Sequence, residues 1–217
     1  MFYNNAPDSI VGTLQEAPGI PVVGISGEDG EAIAARLAAG EEIQGSVQRA
    51  LSDRLDGDAG QFAEAVAAAA DVLYLADNAG EIVFDRLLIE QIGPGRTTVV
   101  VRGAPTINDA TMADAEMTGL TGAVEVIDNG SDAPGTILED CSPEFRDRFE
   151  RADLVLSKGQ GNYETLSGVA GNIFFLLQAK CPLIARHLDC PVGAMVVRRA
   201  AAVPAEEASQ VPRALGK

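Results

Sequence analysis

The hydrophobic pattern of the chain changes character near residue 71. Upstream, 28–37, 42–51 and 61–70 are Ala-rich stretches with apolar residues at helical spacing, broken at Gly40, Gly57 and Gly60. Downstream, short apolar runs alternate with amphipathic ones. Residues 72–76, 97–102, 123–127, 153–157, 172–179 and 194–198 read as strands. Residues 80–92, 111–118, 143–151, 162–166 and 182–188 read as helices between them, the first carrying Ile82, Val83, Leu87, Leu88 and Ile92 at helical spacing. Strands alternating with helices predict an α/β fold, Rossmann-like, with a mostly parallel sheet flanked by helices behind a reduced N-terminal helical segment. The expected organisation is a lead-in over 1–70, a core over 71–202 and a disordered tail over 203–217, where Pro, Ala, Glu and Ser follow no period.

Composition narrows the partners. At 217 residues and 47% hydrophobic, the chain can bury a sizeable single core. A net charge of −16 argues against nucleic acid and acidic membrane surfaces as partners. The acidity fits either adaptation to high salt or an ordinary acidic protein. No apolar run approaches the roughly 20 residues of a membrane span, and the opening Met1-Phe2-Tyr3-Asn4-Asn5 has no signal-peptide pattern. A cytoplasmic location is therefore expected. Cys141, Cys181 and Cys190 form no CxxC pair and read as small buried hydrophobes. The single histidine, His187, cannot by itself build a His-rich zinc site.

In a parallel sheet, the loops that follow the strands share one edge, where ligands bind. Those loops here are rich in chemistry. The first carries Asp77, Asn78 and Glu81; the second runs from Arg102 through Asn108 and Asp109, with Asp114 in the next helix. The third is Asp128-Asn129-Gly130-Ser131-Asp132, the fourth runs from Ser157-Lys158 through Asn162, and the fifth ends at Lys180. Oxygen ligands suit hard divalent cations that keep several waters. A cation on Asp77, Asn78 and a carboxylate of the second loop would be partly open, able to polarise a phosphoryl oxygen and acidify a bound water. Lys158 and Lys180, two of only three lysines, supply positive charge for a phosphate. Blander readings exist for each cluster. Asp77-Asn78-Ala79-Gly80 is also a turn with a helix cap, Asn108-Asp109 a capping sequence, and Glu81 and Asp85 a solvated helix face beside Arg86. Gly159-Gln160-Gly161 lacks the third glycine of a dinucleotide fingerprint.

Together these segments resemble the damage-control phosphatases, a metal-dependent family. The resemblance is carried by Asp77-Asn78-Ala79-Gly80-Glu81-Ile82-Val83-Phe84-Asp85 and by Val101-Arg102-Gly103 leading to Asn108-Asp109-Ala110-Thr111 and Asp114. It continues through Ser157-Lys158-Gly159-Gln160-Gly161-Asn162-Tyr163-Glu164 and Phe174-Phe175-Leu176-Leu177 to Lys180-Cys181. It implies a divalent metal (Mn²⁺, Co²⁺, Ni²⁺ or Mg²⁺) on Asp77, Asn78 and Asp114, with Asp109 the alternative third ligand. It further implies hydrolysis of small phosphomonoesters such as sugar phosphates or damaged phosphometabolites. Glu81, Arg102, Asn108, Asp109, Lys158, Asn162 and Lys180 fall at positions expected to contact substrate. The chain departs from the family upstream: a CxxC is absent, and Gly40-Glu41-Glu42-Ile43-Gln44 stands where Gly-Asn-x-Ile-Asp is usual. The implied rivals are a non-catalytic metal- or metabolite-binding relative and an S-adenosylmethionine-dependent carboxyl methyltransferase, the latter without the usual glycine-rich cofactor loop.

Overall fold

A computed structural model describes residues 55–57 and 59–201. The expected helices at 28–37 and 42–51, the altered 40–44 stretch and the tail lie outside the described residues. Seven strands make one sheet: β1 (Leu55–Gly57), β2 (Val72–Leu75), β3 (Thr97–Val101), β4 (Glu125–Asp128), β5 (Leu154–Lys158), β6 (Ile173–Gln178) and β7 (Met195–Arg199). Among the described residues six α-helices accompany them: α1 (Ala59–Ala68), α2 (Ile82–Ile92), α3 (Met112–Met117), α4 (Pro143–Arg151), α5 (Gly159–Leu166) and α6 (Pro182–Leu188).

The central strands are buried along their whole length, Val72–Leu75 and Thr97–Val101 without exception. That is the pattern of a parallel sheet covered on both faces. Side chains alternate across it. Val72, Tyr74, Val99, Leu154 and Leu156 pack with Phe62 of α1, Ile82, Ile89 and Ile92 of α2 and Ala115 of α3. Leu73, Leu75, Val155, Phe175 and Leu177 pack with Phe145 and Phe149 of α4, Tyr163 and Leu166 of α5, and Ile184 and Leu188 of α6. Local chemistry sets the helix ends. Ser142 caps α4 by accepting a bond from Phe145 N (3.1 Å), with Pro143 pre-set for the first turn. Gly93, at φ 114°, closes α2 before Pro94.

The strand order is β1-β7-β6-β5-β2-β3-β4, parallel from β4 to β6, with β7 antiparallel to β6 and β1 parallel to β7. The chain winds from β2 through β3 to β4, then returns to β5 on the other side of β2. That reversal makes the carboxyl ends of β2 and β5 a topological switch point, the crevice where such sheets bind ligands.

The α/β class and the mostly parallel sheet agree with the sequence pattern, and several details differ. Gly60, expected as a break, lies inside α1. Strand β1 was not expected, since Leu55-Asp56-Gly57 has no alternating signal and pairs only at the sheet edge. The strand expected at 123–127 begins at Glu125, after a 3₁₀ turn over Leu120–Gly122. Helix α5 begins at Gly159 directly from β5, leaving no loop where one was expected. The buried face of α2 is Ile82, Asp85, Ile89 and Ile92, whereas Leu87 is 64% exposed. Only Cys141 of the three thiols is fully buried, and burial pushes its pKa up to about 11, so it stays an inert thiol.

Candidate active site at the β2–β5 switch point

Asp77 follows β2 at this crevice. Its carbonyl accepts from Ala110 N (2.8 Å), and Ala79 N donates to Asn108 O (2.9 Å), so the segment after β3 is laced to the segment after β2. Asn78 and Asp109 form an isolated antiparallel bridge within this lacing. The Asn78 carboxamide accepts from Gly80 N (2.8 Å), the Asx geometry that turns the chain into α2. The turn role weighed for Asn78 is therefore present, but the cap roles are not: α2 starts at Glu81 without a side-chain cap, and α3 is capped by Thr111 rather than by Asn108-Asp109.

The Asp77 carboxyl sits in acidic, partly dry surroundings. Burial, then the charges of Asp109 and Glu81, push its pKa up to about 6, against the pull of Lys180 and Arg102. The Gly159 backbone, at φ +80°, passes directly over it: a Cβ there would fall 1.9 Å from Asp77 Oδ2. Only glycine allows both the positive φ and that approach. A carboxylate raised by burial and by its acidic neighbours, next in sequence to a carboxamide, fits a hard divalent cation, whose charge would relieve the crowding. Among the described residues, no three His, Cys, Asp or Glu side chains are grouped to hold a metal. A cation at Asp77 would thus draw on the Asn78 carboxamide and on backbone or water oxygens as well.

Arg102, 3% exposed, underlies this floor. Its Nε donates to Asp109 Oδ2 (2.7 Å), one terminal nitrogen to Thr136 Oγ1 (3.1 Å) and the other to Asn162 Oδ1 (2.9 Å). Asn162 is fully buried; its amide nitrogen donates to Ala76 O (3.1 Å) and Lys158 O (2.8 Å), and its oxygen also accepts from Thr136 Oγ1 (2.8 Å). Expected as substrate contacts, Arg102 and Asn162 instead spend their hydrogen bonds on joining the ends of β2, β3 and β5. A wholly buried carboxamide with every group paired is scaffold.

The lysines differ. Lys158 Nζ contacts Glu81 and Asp85 Oδ1 (2.7 Å), and the Tyr74 hydroxyl donates to the same Asp85 oxygen (2.7 Å). Burial alone would depress the Lys158 pKa, but Asp85 and Glu81 outweigh it and the ammonium stays charged. Lys180 is exposed and makes no ion pair among the described residues, yet its charge reaches Asp77. Asp114 lies in the first turn of α3. Its Oδ2 accepts from Thr111 N (2.9 Å) and Thr111 Oγ1 (2.6 Å) in a capping box, leaving Oδ1 for another partner. The third loop contributes support: Asn129 Oδ1 accepts from Gly103 N (3.1 Å) and Ser131 N (3.0 Å). His187 is exposed on α6, its Nδ1 2.9 Å from the Tyr163 hydroxyl.

Sequence reasoning passed over Gly159, Thr136, Tyr74 and Asp85 as functional positions. Asp85 carried a signal: it shares the Ile82, Ile89, Ile92 spacing, so it is an acid on the apolar stripe. Thr136 carried none.

A family model described as the damage-control phosphatase ARMT1-like domain matches residues 27–196. The chain is 41% identical over 164 residues to the damage-control phosphatase PH1575 of Pyrococcus horikoshii, covering 73% of this chain and 57% of that protein. It is 46% identical over 131 residues to a damage-control phosphatase of Archaeoglobus fulgidus, covering 58% of this chain and 46% of that one. The crystal structure of PH1575, titled as a DUF89 family protein, superposes with a TM-score of 0.69 at 40% identity, covering 74% of this chain and 58% of that one. The chain therefore spans only about half the length of the curated relatives it matches.

Proposed function

Because the chain belongs to the family of the damage-control phosphatase ARMT1-like domain, we propose that it is a divalent-metal-dependent phosphatase acting on small phosphomonoesters. The observation that carries this reading is the Asp77 carboxyl, raised to about 6 under the Gly159 backbone at the switch point, with the charge of the exposed Lys180 reaching it. Asp77, Asn78 and Asp114 would hold the metal (Mn²⁺, Co²⁺, Ni²⁺ or Mg²⁺), with Asp109 the alternative carboxylate. A metal so held supplies charge to the phosphoryl oxygens and lowers the pKa of a bound water.

The chain's own residues do the rest. Arg102 fixes Asp109 beside Asp77, and Asn162 ties the end of β2 to Lys158. Lys158 and Lys180 bring positive charge to a rim that would otherwise repel a phosphate dianion. The names of the relatives support small phosphorylated metabolites as substrates. Among the described residues no helix is long and apolar enough to cross a membrane.

The test is phosphate release from sugar phosphates and p-nitrophenyl phosphate, with each metal against EDTA, for the wild type and Asp77→Ala. Metal-dependent release lost in the variant is the expected result. Folded protein without release under any metal would sink the reading and favour a non-catalytic binding relative.

A further inference from the structure

Burying a carboxylate is costly unless its oxygens are paired, and Asp85 departs from that rule. It is 5% exposed on the apolar face of α2. Oδ1 accepts from Tyr74 and Lys158, while Oδ2 is buried without a partner. A leucine or methionine would serve packing better at this position. What the carboxylate provides is a solvent-shielded partner for the Lys158 ammonium. The second partner is of another kind: the Glu81 side chain is 43% exposed, against 6% for Asp85.

We propose that these two carboxylates have opposite jobs. Asp85, braced by Tyr74, is a positioning residue that fixes Lys158 at the rim of the site; Glu81 is an exchangeable partner that yields the ammonium to an incoming phosphate group. The inference rests on the phosphatase reading for the nature of the anion. Its physical basis is the asymmetry of release. Glu81 can return to water, where an exposed ion pair is worth little. Asp85 cannot leave without stranding a buried charge. Before substrate arrives, Glu81 balances the ammonium. When a phosphate takes its place, the same move frees a donor and withdraws a negative charge from the anion's path.

Two of the three lysines in the sequence concern the site, so lysine side chains make a direct probe. Protein carrying ¹³C,¹⁵N-lysine would be titrated with inorganic phosphate in Mg²⁺, the Lys158 side-chain signals being assigned with Lys158→Arg. Phosphate is expected to shift the Lys158 signals. Glu81→Gln should tighten phosphate binding about tenfold, and Asp85→Asn should weaken it about tenfold, each the size of one charge-assisted hydrogen bond. Tyr74→Phe, which keeps the packing, should weaken it in the same direction but less, and covers the case in which Asp85→Asn fails to fold. In turnover assays KM should fall for Glu81→Gln and rise for Asp85→Asn.

Weakened phosphate binding in both Glu81→Gln and the Asp85 or Tyr74 variant, or Lys158 signals that ignore phosphate, would overturn the proposal. Wild-type protein that binds phosphate at Lys158 yet releases none from any ester would instead overturn the phosphatase reading and leave this division of labour standing.

Discussion

The backbone of Gly159 covers the carboxylate of Asp77 so closely that a Cβ on the glycine would stand 1.9 Å from Oδ2. This contact joins the ends of β2 and β5, the two strands that flank the switch point. It explains why β5 runs into α5 with no loop between them: the chain must turn at a residue with φ +80° and no side chain.

Gly159→Ala should therefore damage fold and site together. The left-handed backbone alone costs about 1–2 kcal/mol for an alanine, and the clash must move either Asp77 or α5. The expected outcome is a urea midpoint lowered by at least that equivalent, with metal affinity reduced as well. Gly168→Ala, with open space around its Cβ position, is the control expected to leave both unchanged.

The raised Asp77 carboxyl makes a pH prediction whose sign is definite. Below the ordinary value of 3.8, the group is protonated folded and unfolded alike and costs nothing. Between 3.8 and about 6 the folded form holds its proton more tightly, so stability falls as pH rises through that window and stays lower above it. A shift of that size is equivalent to about 3 kcal/mol; partial solvent access lowers the expected effect to about 1–2 kcal/mol. In EDTA, Asp77→Asn should be more stable than wild type by that amount at pH 7.5 and no more stable at pH 3.5. Denaturant melts at the two values check it, and equal gains at both would contradict it.

The fold was legible because each core strand is an apolar run and each intervening helix has its own stop, such as Gly93 with Pro94 after α2. Edge strand β1 was not, because three residues paired at the margin of a sheet need no hydrophobic pattern of their own. The same division runs through the site. That Asp77, Asn78 and Lys158 stand at the carboxyl ends of β2 and β5 was legible from the strand pattern. The internal hydrogen bonding of Arg102 and Asn162 was not legible, since whether a polar side chain faces the crevice or fills the space beneath it depends on partners remote in sequence. Asn162 lies 60 residues from Arg102, and Thr136 lies 34 from it. No local pattern encodes such a meeting.

Arg102 should consequently behave as a keystone of stability as much as of activity. Replacing it by methionine keeps much of the volume but takes the guanidinium donor from Asp109 and Thr136 and leaves Asn162 Oδ1 with Thr136 alone. Breaking a buried charged network in this way costs about 3–5 kcal/mol. Arg102→Lys should recover little, since one ammonium cannot reach three acceptors held in the planar guanidinium's arrangement. Thermal melts of both variants check this; a loss below about 1 kcal/mol in Arg102→Met would refute the scaffold role.

Asp109 and Asp114 separate the two candidate third ligands. Asp109 is committed to Arg102 through Oδ2 and its charge raises Asp77. Asp114 is committed to Thr111 through Oδ2, with Oδ1 left over. If Asp114 completes the metal site, Asp114→Asn should weaken Mn²⁺ binding by at least tenfold, the order expected when an ion loses a charged ligand. It should cost only about 1 kcal/mol of stability through the weakened capping box. Asp109→Asn should show the reverse emphasis. The Arg102 guanidinium loses its charged partner, stability falls further, and the Asp77 carboxyl moves down, though burial still holds it raised, because the Asp109 charge that pushes it up has gone. Calorimetric Mn²⁺ titrations and urea melts on the same two proteins read both quantities. Metal binding lost in Asp109→Asn and kept in Asp114→Asn would move the third ligand from α3 to the loop before it.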